Sequence, residues 1–281
     1  MSEKIYTMIT EKIQDLLEKG EIPWRKPWSG GGLPKSLKSG KEYRGINVFL
    51  LACQQYESPY WITLKQANDR GGKIKAGEKS TPVVFWNWTE KQDKETGEIK
   101  NIPFLKYYRV FNVAQCEGID CPKDENPGIA FEPLAEAEKI VADMPQRPEI
   151  EHKQQRAYYR PSEDKVNMPK PESFDNREHY YATLFHELAH STGHESRLNR
   201  KGITELTGFG SANYSREELI AEFSAAFLCG MTGIENATIE NQAAYIQGWL
   251  RALKNDKKAV VLAAANAQKA ADFITGKKAN A

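Results

Sequence analysis

Apolar residues Ile5, Met8, Ile9, Ile13, Leu16 and Leu17 recur every three or four positions behind Ser2, a candidate cap, and stop before Gly20. Residues so spaced share one side of a helix, and glycine is a common helix stop, so one amphipathic helix is expected. Periodicity then disappears: IPWRKPWSGGGLPKSLKSG is rich in Pro, Gly, Ser and positive charge and predicts an irregular basic loop. INVFLLACQQY and TLKQANDR read as short helices. VVFWNW and FLKYYRVFNVAQ read as strands closing a β-hairpin around the charged turn KQDKETGEIKN. Residues 1–118 are therefore expected to form an α+β unit.

Turn formers and charges dominate around CEGIDCPKDENPG, and residues 119–128 are expected to be a linker. Residues 129–281 read as a second unit, mostly helical with a small sheet. Helical spacing runs through PLAEAEKIVADM, HYYATLFHELAHSTG, SREELIAEFSAAFLCG, NQAAYIQGWLRALKND and KKAVVLAAANAQKAADFITG, while AYYRPSEDKVNMP suggests two short strands around a turn. Asp175 and Glu178 make a candidate D-x-x-E capping box for the helix that ends at Gly193. No internal repeat is present.

Composition narrows the class. The 281 residues are 40% hydrophobic, enough for two ordinary domains. The longest purely apolar run, Ala259 to Ala265, is far short of the roughly 18 residues that cross a bilayer, and charges interrupt the N-terminus where a secretory signal would need an apolar run. No membrane partner is therefore expected, and four cysteines without a CxxC pair suggest a reduced cytoplasm. The net charge of +1 hides a division. Residues 1–116 hold 19 Lys and Arg against 13 Asp and Glu, whereas residues 117–281 hold 20 against 25, and five of the six tryptophans lie in the basic part. Different partners for the two parts follow.

The stretch HELAHSTGH at 186–194 concentrates three of the five histidines. On a helix, His186 and His190 stand one above the other and can offer two imidazole nitrogens to one ion. Glu187, one position along, can take a proton from water that the ion has acidified towards a pKa of ~7, which is the H-E-x-x-H arrangement of zinc hydrolases. With this composition the motif arises by chance about once in a hundred sequences. The competing reading is a polar helix face with Leu184 and Leu188 turned to the core. A catalytic Zn2+ takes three protein ligands and keeps one position open. Glu218 is favoured as the third, with Glu222 one turn on orienting a ligand histidine through its other ring nitrogen. The alternatives are Glu222 itself, a capping box Ser215 to Glu218, and His194. Gly193 swings His194 off the ligand face and breaks the H-x-x-G-x-x-H spacing, so a supporting place in the cleft wall is expected for it. Tyr158, Tyr159, Tyr180, Tyr181 and Tyr214 are unranked oxyanion donors. The strands of AYYRPSEDKVNMP are a candidate cleft edge for an extended peptide substrate.

In the basic part, rings and cations alternate: Trp24, Arg25, Lys26 and Trp28; Tyr43, Arg44 and Asn47; Trp61 and Lys65; then Lys73, Lys75 and Lys79. Single-stranded nucleic acid is bound by rings that stack on bases, at ~1–3 kcal/mol each, and by a cationic track for phosphates. The same rings can equally belong to a core.

With both parts in view the chain resembles the ArdC antirestriction family. The resemblance rests on IPWRKPW, YRGINVFLL, SPYWITLKQANDRGGKIKAGEKSTPVVFW and YYRVFNVAQCEGI, and then on YYRPSEDKVNMP, FHELAHSTGHESRL, YSREELIAEFSAAFLCG and AAYIQGWL through AADFI. It implies an N-terminal domain that binds single-stranded DNA with little sequence preference and a zincin-like metallopeptidase domain. In the latter His186, His190 and a glutamate of EELIAE hold the metal, which supports Glu218 over His194. It also implies protection of incoming plasmid DNA from host restriction. Two other functions stay open: a non-enzymatic DNA-binding protein with a structural or vestigial zinc site, and a metalloprotease that cleaves a repressor-type protein.

Overall fold

Ser2–Glu18 forms α1 (Ser2 to Glu18), in a computed structural model that describes residues 2–24, 32–92, 99–122, 133–204, 212–234 and 242–277. Ile5, Ile9, Ile13 and Leu17 face the core, and Gly20 ends the helix at φ 77°. Ser2 lies inside the helix rather than capping it, and its hydroxyl accepts a hydrogen bond from Leu105 N–H at 3.3 Å. The helix is thereby tied to the hairpin.

The remainder of the N-terminal part holds β1 (Lys35–Ser36), α2 (Ile46–Ala52), β2 (Tyr60–Ile62), α3 (Leu64–Asp69) and β3 (Lys73–Ile74), then β4 (Thr81–Gln92), β5 (Ile99–Asn112) and β6 (Cys116–Glu117). Thr63 and Gln66 close a capping box on α3. Strands β1-β2-β5-β4 make one sheet and β3-β6 a small second one. The expected hairpin is β4 and β5, antiparallel from Thr81↔Val110 to Gln92↔Ile99.

Beyond it come α4 (Pro133–Asp143), β7 (Glu149–Glu151), β8 (Tyr158–Arg160) and β9 (Lys165–Asn167). Helices α5 (Arg177–Ser191), α6 (Lys201–Thr204), α7 (Ala212–Thr232), α8 (Gln242–Asn255) and α9 (Ala259–Ile274) follow. The sheet order β7-β9-β8 leaves β8 at an edge beside α5. The architecture is α+β, with an N-terminal α+β part and a mostly helical zincin-like part carrying a small sheet. Helix α5 is capped by Asn176, whose side chain accepts from His179 N–H at 2.8 Å. The expected Asp175–Glu178 box is one residue out of register. Helix α7 is buried along most of its length, from Leu219 through Phe223 and Phe227 to Cys229, as a helix packed on several sides must be. It lies against both α5 and α9, and the alanines of α9 let Ser224 Oγ reach the Ala267 carbonyl at 3.3 Å.

The two parts share a hydrophobic core. Trp24 sits edge-on to Phe223 and Trp249, with ring centroids 4.7 and 4.9 Å away, and also meets Phe49 of α2. Thr10 Oγ1 of α1 donates to the Lys257 carbonyl between α8 and α9 at 2.7 Å. Residues 123–128 of the expected linker lie outside the described residues.

Candidate metal centre and aromatic face

The spacing of four on α5 sets His186 and His190 at right angles, ring centroids 4.8 Å apart, with their Nε2 atoms 3.1 Å from each other. Glu218 enters from α7: one carboxylate oxygen is 3.7 Å from His186 Nε2 and the other 3.6 Å from His190 Nε2. One donor atom from each of the three lies within 4.8 Å of the others. Two imidazole nitrogens at ~2.1 Å from one tetrahedral ion would be about 3.4 Å apart, so the pair has the separation of co-ligands.

The outward ring nitrogens also meet carboxylates. His186 Nδ1 is 3.6 Å from Glu222, and His190 Nδ1 is 3.5 Å from Glu217. Glu217 went unnoticed in the sequence. Arg200 grips it through Nε at 3.0 Å and Nη2 at 2.5 Å, and also donates to Thr192 Oγ1 and the Ala189 carbonyl on α5. Two glycines admit this bracket. A Cβ on Gly193 would stand 2.6 Å from Ile203 and 3.0 Å from Arg200, and one on Gly202 would stand 3.0 Å from Glu217 Cβ. The signal for Glu217 was a third acidic residue on a helix with a long apolar stretch, where unpaired carboxylates are rarely buried. Arg200 carried none.

Glu187, Glu217 and Glu222 are buried and Glu218 nearly so, with Arg200 the guanidinium among them. The excess of negative charge acts on the neighbouring ionisable groups. Burial acts most strongly on His186 and opposes its charge, yet Glu218, Glu222 and Glu187 together push the imidazole up to about 10. Burial likewise raises the Glu217 carboxyl, but His190 and Arg200 outweigh it and hold Glu217 below the usual range. A pocket of carboxylates and imidazoles that draws in positive charge fits a divalent cation.

His194 lies in the turn past Gly193 and pairs through Nδ1 with Ser196 Oγ at 2.8 Å. The carboxylate Glu217, not this histidine, faces His190. Tyr158, Tyr159, Tyr180 and Tyr181 have hydroxyls engaged with Arg160, Asp164, His152 and Glu138 respectively, and the Tyr214 side chain lies outside the described residues.

The rings and cations expected on a DNA-binding surface scatter. Trp24 is 1% exposed and is a core residue; Trp61 is 2% exposed and packs edge-on to Tyr56. Neither face of a ring so covered can stack on a base. Asn47 is also corrected: its side chain donates to and accepts from the Val84 backbone, each at 2.7 Å, joining α2 to β4. Arg25, Lys26 and Trp28 lie outside the described residues. Tyr43 is half-buried, and burial pushes its phenol up to about 12. Arg44 forms an ion pair with the buried Asp272 of α9 while half its side chain stays exposed. Lys65, Lys73, Lys75 and Lys79 are exposed, with Lys73 paired to Glu117 at 3.0 Å and Lys75 donating to the Ala114 carbonyl at 2.8 Å. The hairpin instead exposes Phe85, Trp86, Tyr107 and Tyr108.

Comparison with known proteins covers both parts of the chain. Residues 3–111 match the N-terminal domain of anti-restriction factor ArdC, and residues 135–266 match a zincin-like metallopeptidase. The metal-free crystal structure of the antirestriction ArdC protein from plasmid R388 superimposes with a TM-score of 0.79 at 39% identity, covering 97% of each chain. The chain belongs to the ArdC antirestriction family. The Mn(II)-bound structure of the R388 ArdC protein is equally similar, with a TM-score of 0.78, 38% identity and 98% coverage of both chains. The uncharacterized protein y4eC of Sinorhizobium fredii (strain NBRC 101917 / NGR234) is 33% identical over 99% of this chain and 93% of its own length. Two DNA primases TraC of Escherichia coli are 35% and 36% identical over 96% of this chain, which spans 27% and 20% of their lengths. This ArdC-like chain thus corresponds to a fraction of those primases. Among its described residues no helix is long and apolar enough to cross a membrane.

Proposed function

We propose that the chain is a zinc-dependent metallopeptidase of the H-E-x-x-H type whose N-terminal part binds single-stranded DNA, and that it protects incoming plasmid DNA from host restriction in the cytoplasm. The convergence of His186, His190 and Glu218 carries the enzymatic half of this reading. These three would hold the ion, while Glu222 and Glu217 face the two Nδ1 atoms at 3.6 and 3.5 Å and favour each imidazole with Nε2 turned inward. A divalent ion in such a set would lower the pKa of water and polarise a carbonyl. Glu187 accepts the water proton as general base and returns it to the leaving amine. An extended peptide pairing with the edge strand β8 is the substrate. The division of labour is residues 1–118 for DNA, 119–128 as linker and 129–281 for peptide hydrolysis, supported by the basic balance of residues 1–116.

The test is metal analysis of the purified chain together with cleavage of labelled casein. Glu187→Ala is expected to keep one ion per chain and lose ~10²–10⁴-fold in cleavage rate, the usual worth of a general base. His186→Ala is expected to lose the ion. Undiminished cleavage by Glu187→Ala would remove Glu187 from the mechanism, and an unchanged metal content in His186→Ala would remove the centre.

A further inference from the structure

The antiparallel register Val83↔Tyr108 and Phe85↔Lys106 puts Val83, Phe85, Lys106, Tyr108 and Val110 on one face of the β4–β5 hairpin. Near its base that face is covered: Val83 and Val110 are buried against Leu51 and Trp61. Opposite Val83 and one step beyond it the same face loses its cover, and Tyr108 and Phe85 stand 47% and 41% exposed. Tyr43 closes the group from the loop before α2, its ring 6.4 Å from Phe85, which in turn is 5.5 Å from Tyr108. The contacts are tilted or edge-on, at 51° and 70°, rather than stacked face to face. They border a cleft of about 530 Å³, within the ~300–1,000 Å³ of small-molecule sites.

We propose that this cleft seats the unstacked bases of a single strand, with Tyr43, Phe85 and Tyr108 as the stacking rings. The proposal rests on the reading that the N-terminal part binds single-stranded DNA and names the residues that do so. The wall chemistry suits a base with its backbone better than an apolar protein segment. Lys106 stands opposite Phe85 in the register, and the exposed Lys41 and Arg44 flank Tyr43. Cations thus stand beside rings as phosphates stand beside bases. Thr63, Gln66, Ser36 and Ser39 make part of the lining polar, which suits a base edge better than a hydrophobic peptide face. Glu42 is the acidic side chain in that lining, set against Lys41 and Arg44. Arg44 is anchored on Asp272, so it forms a fixed wall of the cleft.

Tyr107 provides a control built into the same strand. It is 44% exposed, yet its register partner is Val84, which places it on the opposite face from Phe85 and Tyr108. Fluorescence anisotropy of a labelled 20-nucleotide oligo-dT is measured with the full chain and with Phe85→Ala, Tyr108→Ala and Tyr107→Ala. The expected result is a ~10-fold or larger rise in Kd for each of the first two, with Tyr107→Ala within about twofold of the parent. A second measurement needs no variant: an abasic oligonucleotide, which keeps the phosphates and removes the bases, binds the parent chain at least ~10-fold more weakly than oligo-dT. Equal affinities for the parent, Phe85→Ala and Tyr108→Ala overturn the cleft while leaving single-strand binding intact, as does equal binding of abasic and base-bearing strands. Failure of the parent chain to bind either strand overturns the underlying reading as well.

Discussion

The metal centre and the aromatic cleft place their functional groups by opposite means. At the centre, two donors come from one helix at a spacing of four, and the carboxylates that meet them lie on α7 within six residues, Glu217 to Glu222. In the cleft, the three rings come from a loop and two strands, and their common face depends on the hairpin register. A helix presents a face by its own geometry, so a local pattern suffices to predict it. A surface shared between a loop and a sheet exists only after the chain has folded. Burial differs in the same sense: the centre hides carboxylates that demand a counter-charge, while the cleft leaves apolar rings uncovered.

The sharpest way to break this contrast is Trp24→Ala. If the ring is core, as its contacts with Phe223 and Trp249 require, the chain loses ~3–5 kcal/mol in urea unfolding. Unchanged stability with a selective loss of DNA affinity would return Trp24 to the binding surface. Next in size is Glu217→Gln, which keeps the shape but removes the charge facing His190 and Arg200. Metal affinity measured by chelator competition is expected to fall ~10–100-fold. An unaltered affinity would reduce the Arg200–Glu217 bracket to a fold support. The smallest effect is expected from Lys73→Ala, whose partner Glu117 is itself half-exposed. Stability should change by less than ~1 kcal/mol. Any loss of oligo-dT binding should be uniform across sequences, with about one unit less salt slope. A loss as large as that of Phe85→Ala would mean that phosphate contacts outweigh stacking.

Much of the scaffold was legible because it repeats a local rule. The stripe of α1, the hairpin around the charged turn and the helical second part all follow from periodicity, and H-E-x-x-H named two donors and the neighbouring carboxylate. The errors have physical causes. Asn176 rather than Asp175 caps α5, since two adjacent cap-forming residues differ only in which backbone turn begins the helix. Trp24 and Trp61 stand next to cations or polar residues in the chain, but neighbours in sequence do not decide which side of a loop or short strand meets the core. Asn47 looked like a surface amide and instead replaces backbone partners between α2 and β4.

What the chain's order of residues determined alone is the class of chemistry: two imidazoles a turn apart beside a glutamate, and a basic, aromatic N-terminal part. Only the tertiary structure decided which carboxylate faces each imidazole, that Arg200 and two glycines hold Glu217 in place, and that Phe85 and Tyr108, rather than Trp24 and Trp61, keep their rings uncovered. The reason is range: helical geometry couples residues three or four positions apart, whereas burial, counter-charge and an open ring face are set by segments distant in the chain.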